Sequence, residues 1–474
     1  MSAVLGREQQ FLGRGPQLEA LYAVLAQVGA DAGPEPGRVV LVSGRRRVGK
    51  SRLIEEFLDR AVVGHVYFTA STRSEPDELR RFAATVAGSN LPEAAVFAGV
   101  SPNSWDSALR LLAATAPAGE PGVVVIDDLQ HLIAADPQFE NLLRKLFESE
   151  LSGRRILLIG IGSDPGLMEA LGDSFGDALG DRAAVLTVPP LTPSEISTRL
   201  RLSPADAFDA YLLTGGLPLI LQEWPPGATR SEYLAATVAS PTSALLVSGE
   251  RALAAEFPGQ SQPREVLGAV GAGQRSFANI GRAAGHLHQG SLLRALGTLR
   301  DKRAVTADVP LSIVRSKETR YQVADPYLHF YLSFLGPYQA EIDRGRGDLT
   351  LARIEATWTS WRARAVQPVL RAALARLLPA DGPVVGSYWT RSGLPEIDIV
   401  LADRAPVADR VLGVGAIKWR EHEPFDDHDY GELLMHRSQL PGAGKPTPVF
   451  ALSRSGSSVS GVRIFDPEEL LSAW

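Results

Sequence analysis

The sequence predicts an α/β protein that begins with a doubly wound parallel sheet, and three observations carry that prediction. The apolar run Val39–Val42 feeds directly into Gly44-Arg45-Arg46-Arg47-Val48-Gly49-Lys50-Ser51. A second apolar run, Val123–Ile126, ends in the carboxylates Asp127 and Asp128. Apolar strands then alternate with helical stretches along the first 190 residues. That order builds a parallel sheet covered by helices, with ligands held at the carboxyl ends of its strands.

The segment from Gly44 to Ser51 is a phosphate-binding loop set between a strand and a helix, as its chemistry requires. Gly44 and Gly49 permit backbone conformations that let successive N–H groups turn toward phosphate oxygens. Lys50 brings a positive charge to the β/γ-phosphates, and Ser51 offers a hydroxyl to Mg²⁺. The helix opening through Arg52 points its positive end at the anion. The loop therefore calls for ATP and Mg²⁺.

Length and composition bound the rest. The chain has 474 residues, enough for two to four domains, with 22% charged and 45% hydrophobic residues, a globular balance. Cysteine is absent, which excludes disulfides, thiolate zinc sites and a catalytic thiol. Met1 to Arg14 contains no apolar core of signal-peptide type, and no apolar run is long enough to cross a bilayer. A cytoplasmic protein with no membrane partner is expected. The net charge of −6 excludes a uniformly basic coat but not a local basic patch.

The elements follow in order. After the loop comes the strand His65–Phe68, then helical stretches near 75–88 and 104–116. The next strand is a continuous apolar run, as in a buried parallel sheet, and it delivers Asp127 as the Mg²⁺ carboxylate and Asp128 as the base that orients water. The acidic strand is expected to lie between the loop strand and the rest of the sheet, the arrangement of additional-strand P-loop ATPases. The strand Arg155–Gly160 ends near Ser163, a candidate sensor of the γ-phosphate. The last strand, Ala184–Val188, follows Arg182, a candidate arginine finger acting within its own subunit or on a neighbour.

Five segments now converge in order: Phe11-Leu12-Gly13-Arg14-Gly15-Pro16-Gln17-Leu18-Glu19, the loop Gly44–Ser51, Ile126-Asp127-Asp128-Leu129-Gln130, Tyr211–Pro218 and Tyr321–Tyr331. Together they resemble the archaeal-type AAA+/STAND ATPase family, often fused to a C-terminal PD-(D/E)xK nuclease-like domain, over Phe11 to about Trp419. The resemblance implies that Gly13 and Arg14 pack near the adenine. It implies that Gly216 and Pro218 let a helical lid read the bound nucleotide, and that Arg182 matches an arginine before the last core strand. Asp128 departs from the glutamate usual in the family, which points to slow turnover.

The connector Pro189–Glu195 ends in a helix cap, and a helical lid follows to about residue 255. From Arg264 the pattern is helix, turn, helix, then strands, with Leu292, Leu293, Leu296 and Leu299 at helical spacing and Tyr321–Val323 as the returning strand of a winged helix. Residues 282–320 carry eight basic and three acidic side chains, a local balance of +5 against −6 overall. Arg294, Arg300, Lys302, Arg303, Arg315 and Lys317 are the candidate contacts to double-stranded DNA. His286 and His288 read as surface or packing residues.

In the last 125 residues, Glu396-Ile397-Asp398 and Ala416-Ile417-Lys418 resemble the acid and acid-x-lysine positions of a PD-(D/E)xK nuclease. Such sites need several carboxylates to hold Mg²⁺. Ala416 stands where the family places an acid, and the helix Trp361–Leu374 holds neither Asp nor Glu. Glu396, Asp398 and Lys418 are therefore read as a degenerate, inactive site. The run Glu421–Asp429 reads as a solvated loop, with metal binding the lesser reading.

The expected organisation is a P-loop ATPase core over 1–190, a helical lid over 191–255, a winged helix over 256–345 and an α/β restriction-nuclease-like domain over 350–474. The expected function is an AAA+/STAND-type switch that binds ATP between core and lid, hydrolyses it slowly and couples nucleotide state to DNA binding. An ATP-gated DNA nuclease and a nucleotide-dependent signalling scaffold with a protein partner are the alternatives, and homo-oligomer formation stays open.

Overall fold

The structure, a computed structural model, describes residues 13–29, 35–115, 119–257, 259 and 261–474. Phe11 and Leu12 of the first family segment lie outside the described residues. The chain forms two compact units, Met1–Pro190 and Leu191–Trp474.

The first unit is built on five strands: β1 (Arg38–Ser43), β2 (Gly64–Thr69), β3 (Gly122–Asp127), β4 (Ile156–Gly162) and β5 (Ala183–Thr187). All neighbours pair in parallel, in the order β2-β3-β4-β1-β5. The acidic strand β3 does not adjoin the loop strand. β4 lies between them, with Val39 opposite Leu158 on β4 and Val124 opposite Leu158 from the other side. The sequence could not place β4, because three buried strands of similar Val/Ile/Leu content carry no mark of their neighbour. The residues of β3 and β4 are buried throughout, which is why both read as unbroken apolar runs. Helices Glu75–Ala87 and Trp105–Ala114 cover one face through Phe82 and Trp105, whose rings meet Phe68 at 5.3 and 6.1 Å. Ser104 caps the second helix through a reciprocal capping box with Ser107.

The second unit starts with five helices between Pro193 and Glu256. Thr192, ahead of Pro193, closes a capping box with Glu195. Three further helices follow, Gln262–Gly271, Phe277–Ala283 and Gln289–Asp301, and then an antiparallel pair, β6 (Val305–Asp308) and β7 (Arg320–Val323). Leu292, Leu296 and Leu299 are buried while Leu293 is exposed, so the apolar stripe faces inward as its spacing predicts. The loop joining β6 to β7 is packed rather than projecting. Leu311 donates its N–H to Ser387 at 2.8 Å and is buried among Val400, Val414 and Leu433.

Helices Gly347–Ala365 and Gln367–Leu377 replace the single helix read around Trp361–Leu374, with the break at Val366, before Pro368. They cover a mixed sheet of β8 (Val384–Trp389), β9 (Glu396–Ala402), β10 (Val411–Lys418), β11 (Val449–Ser453) and β12 (Arg463–Phe465), ordered β12-β11-β10-β9-β8. One core joins this sheet to the early helix Pro204–Thr214, whose Phe208 meets the rings of Trp419 and Trp474 at 5.4 and 5.9 Å. Among the described residues no helix is long and apolar enough to cross a membrane.

Candidate nucleotide site

β1 ends at Ser43 and the chain turns at once into the loop. A side chain at Gly44 would place its Cβ 2.5 Å from the carbonyl oxygen of Val188, so only glycine fits there. Gly49 holds φ 89° and opens the helix Lys50–Ala61. Arg47 also takes a left-handed φ of 68°. The first N–H groups of this twelve-residue helix point back into the loop's concavity. These features fit a polyphosphate: a glycine-lined cradle at a helix amino terminus, with a buried lysine at its centre.

Lys50 is 7% exposed, and its Nζ donates to the carbonyls of Gly44 at 2.8 Å and Arg45 at 3.0 Å. Burial lowers its pKa to about 8; Asp127 and Asp128 oppose that shift and Arg46 adds to it. Val48 is buried, and its carbonyl accepts a 2.9 Å hydrogen bond from Arg14 Nη2. Arg14 thus braces the loop from beneath, at a left-handed φ of 71° beside Gly13 at 63°. Arg46 and Arg52 are exposed, and Arg52 is drawn to Glu55 and Glu56 at 3.3 and 3.1 Å.

Asp127 sits at the carboxyl end of β3, 6% exposed. Tyr67 on the adjacent strand donates its hydroxyl to Asp127 Oδ2 at 2.7 Å, and the backbone N–H of Asp128 donates to Oδ1 at 2.8 Å. Tyr67 also meets Ser51, the loop hydroxyl, so Ser51, Tyr67 and Asp127 form one polar chain. Burial first, and then the charge of Asp127, push the Tyr67 phenol well above its ordinary pKa. Asp128 follows at a left-handed φ of 54°, a strained conformation for a residue with a side chain. Gln130 Nε2 donates to Asp128 Oδ1 at 2.8 Å and to Ser163 Oγ at 3.3 Å, and Gln130 Oε1 accepts from the Ser163 N–H at 3.3 Å. The ends of β3 and β4 are thereby stitched together.

Sequence reasoning singled out Lys50, Ser51, Asp127, Asp128 and Ser163, and the structure gathers these at one edge of the sheet. It missed Tyr67 and the bridging role of Gln130. Tyr67 carried no signal, because a tyrosine in a strand reads as packing. Gln130 stands three residues past Asp127, in the segment Ile126–Gln130.

Arg182 is not brought to this edge. Val39 pairs with Ala183 and Ser43 with Thr187, so Arg182 lies beyond the amino ends of the strands and the loop beyond their carboxyl ends. About 17 Å of strand separates the two. Arg182 instead pairs with Glu35 and donates from Nε to the Leu179 carbonyl at 3.3 Å.

Gly216 and Pro218 belong to the second unit. Gly216 is buried at φ 69°, its carbonyl accepts from the Leu191 N–H at 2.9 Å, and an added Cβ would stand 2.1 Å from the Leu191 oxygen. Pro218 opens the short helix Pro218–Gln222.

The residues read as DNA contacts fall at different places on the second unit. Arg294 and Arg300 are exposed on the helix Gln289–Asp301, Arg303 follows that helix, and Arg315 and Lys317 are exposed on the packed loop. Lys302 is engaged by Glu256 at 3.2 Å and lies over Phe257. His286 and His288 are exposed.

At the C-terminal sheet, Asp398 is half-buried, with Oδ1 accepting from Gln367 at 3.0 Å and Oδ2 from the Ile417 N–H at 2.8 Å. Burial raises its pKa. Lys418 pairs with Asp429 at 2.9 Å and Glu432 at 3.2 Å. The stretch around Asp426–Asp429 is not a solvated loop. Asp426 caps the helix Asp427–Gln439 through a capping box with Asp429, which is itself buried against Lys418 and Arg420.

Comparison with known proteins finds a family model that matches the segment holding the first site. The model of the AAA ATPase domain matches residues 10–159. An uncharacterized protein, MJECL04 of Methanocaldococcus jannaschii, is 21% identical over 416 residues, 85% of this chain and 88% of that protein. Among solved structures, the Walker-type ATPase PABY2304 of Pyrococcus abyssi is 19% identical with a TM-score of 0.47, covering 69% of this chain and 97% of that one. The Aeropyrum pernix ORC2 protein in ADPNP–ADP complexes is 13% identical with a TM-score of 0.44, covering 73% of this chain and 96% of that one. The loop from Gly44 to Ser51 and the carboxylates Asp127 and Asp128 lie within the segment, residues 10–159, that is similar to the AAA ATPase domain.

Proposed function

We propose that this chain is an ATP-hydrolysing switch whose nucleotide state governs binding to double-stranded DNA. The observation that carries the ATPase half is the convergence of Lys50, Ser51, Tyr67, Asp127 and Asp128 at one sheet edge. ATP with Mg²⁺ supplies the phosphoryl group that is transferred to water. Lys50 would neutralise phosphate charge, and Ser51 with Asp127 would hold the metal. Tyr67 keeps Asp127 oriented by donating to Oδ2. Asp128 would take the proton of the attacking water, its Oδ1 steered by Gln130, which also reaches Ser163. Gly216 and Pro218 are proposed to report the nucleotide to the second unit.

The DNA half rests on the three helices and antiparallel pair between Gln262 and Val323, which fit a winged helix, and on their excess of positive charge. The loop between β6 and β7 is packed on the C-terminal sheet. The exposed face of Gln289–Asp301, with Arg294 and Arg300, is therefore the proposed DNA contact rather than the tip of the wing. The C-terminal sheet is proposed to be a nuclease-like domain without nuclease activity.

Fluorescence anisotropy on duplex DNA, with no nucleotide, ADP or ATP–Mg²⁺, tests this reading in the intact protein and in Lys50→Ala. Affinity that depends on nucleotide, with the dependence lost in the variant, supports it. Absence of binding at low salt in every state overturns the DNA half and leaves the protein-scaffold reading in its place.

A further inference from the structure

A cavity of about 490 Å³ opens within the second unit, far larger than a packing defect and within the size range of small-molecule sites. Its walls come from the end of the helix Gln262–Gly271, from β7, from the segment around Pro326–Tyr338 and from the helix Gly347–Ala365. It thus joins the three-helix segment to the helices that cover the C-terminal sheet.

The lining combines flat apolar surfaces with positive charge. Phe334, Tyr338 and Trp361 supply rings, and Arg275 and Arg364 supply guanidiniums, while no carboxylate lines the cavity. The aromatic wall is held in place. Trp361 Nε1 donates to Ser333 Oγ at 3.0 Å, Ser333 Oγ donates to the Gly271 carbonyl at 2.9 Å, and the Trp361 ring packs on Phe334 and Trp358 at 5.4 Å each. Such a wall is already shaped for a ring and loses little freedom when one binds.

The charges around it do not balance. Arg275 reaches Glu396 only at 3.8 Å, because Glu396 is taken by Arg320 in a two-point pair. Arg371 faces Asp308, Asp398 and Glu396. Four guanidiniums, those of Arg275, Arg320, Arg364 and Arg371, therefore meet three carboxylates. Arg364 has no carboxylate partner among the described residues. His329, against Trp361 at 5.1 Å, adds no charge near neutrality, since burial and then Arg275 lower its pKa to about 4. The geometry points to a binding site for a small planar molecule bearing a carboxylate or phosphate, with its ring on Trp361 and Phe334 and its anion between Arg275 and Arg364. Arginine suits that anion because its planar fork binds two oxygens at once.

Calorimetric titration of the full chain tests the site with three probes: naphthalene-2-carboxylate, 2-naphthyl phosphate and uncharged naphthalene-2-methanol. One of the two anions binds saturably at one per chain, about tenfold or more tighter than the alcohol. Arg364→Gln, an exposed helix position, removes most of that advantage while leaving the alcohol unchanged. Thr357→Trp, another exposed position in the wall, blocks all three probes. Lys50→Ala leaves anion affinity unaltered, separating this site from the phosphate loop. Failure of both anions to bind, equal binding of the alcohol, or anion affinity unchanged in Arg364→Gln and Thr357→Trp overturns the inference.

Discussion

Arg362 Nη1 stands 2.9 Å from Asp209 Oδ2, and the two side chains are 0% and 6% exposed. Arg454 reaches the same oxygen at 3.2 Å, and Arg362 Nη2 donates to the Trp419 carbonyl at 3.2 Å. The helix Pro204–Thr214, read from sequence as part of a small lid, is therefore joined through a buried charge to the helix Gly347–Ala365 and to the residue after β10. Arg362 keeps Glu421 at 2.7 Å and Arg454 keeps Asp206 at 2.8 Å, so Asp209→Ala removes a shared carboxylate without orphaning either guanidinium, and a loss of about 1.5–3 kcal/mol is expected, as for a lost hydrogen bond to a charged group. Asp209→Asn keeps an acceptor and should lose less. Urea unfolding followed by tryptophan fluorescence measures both, and a loss under about 1 kcal/mol for Asp209→Ala would mean that the pair is idle.

The three residues of the nuclease-like pattern are each engaged by another group. Glu396 takes Arg320, both oxygens of Asp398 accept N–H donors, and Lys418 faces Asp429 and Glu432. A divalent cation would have to displace these partners and would find Ala416 where a further carboxylate is needed. Supercoiled plasmid incubated with the protein, ATP and Mg²⁺ is expected to stay uncut. An Mg²⁺-dependent nick that disappears in Asp398→Ala would restore the nuclease reading.

Much of the first unit was legible because its chemistry is local. A loop that must bind phosphate spells itself out in eight consecutive residues, and a strand buried on both faces cannot avoid an apolar run. The order of strands was less legible, since β4 and β3 are interchangeable by composition. Tyr67 was missed because its partners, Asp127 and Ser51, are set by sheet register and loop geometry rather than by spacing. Arg182 reads as a candidate because it precedes the last strand, yet parallel pairing puts that position at the far edge from the loop. In the second unit the acidic run at Asp426 read as solvated, because a capping box and the pairing of a buried Asp429 with a half-buried Lys418 leave no trace in the run itself.

Asp128 and Gln130 make a prediction about chemistry rather than binding. Asp128→Asn is nearly isosteric and leaves Lys50, Ser51 and Asp127 untouched, so ATP affinity should stay within a few-fold of wild type. Loss of the base should lower kcat by about a hundredfold or more. Gln130→Ala frees the Asp128 carboxylate to rotate, and a smaller fall, about tenfold, is expected with KM little changed. Steady-state phosphate release with nucleotide titration separates the two effects. An unchanged kcat in Asp128→Asn would remove that residue from the mechanism.

Lys50 carries the pH dependence. Its pKa in the folded chain is about 8, against 10.5 unfolded, because burial disfavours the charged form more than Asp127 and Asp128 restore it. The penalty of holding the ammonium is present below pH 8 and is relieved as pH rises from 8 toward 10.5, so this group adds stability across that window. Nucleotide binding runs the other way. A phosphate beside Nζ favours the charged form, so binding above pH 8 must take up a proton and affinity should fall as pH climbs past that point, at most about tenfold per unit. Titration calorimetry at pH 9 in two buffers of different ionisation enthalpy measures the uptake. Lys50→Arg, charged throughout this range, should bind with no uptake at that residue. Equal heats in both buffers for the wild type would place the Lys50 pKa well above 9 and remove the burial effect from the account.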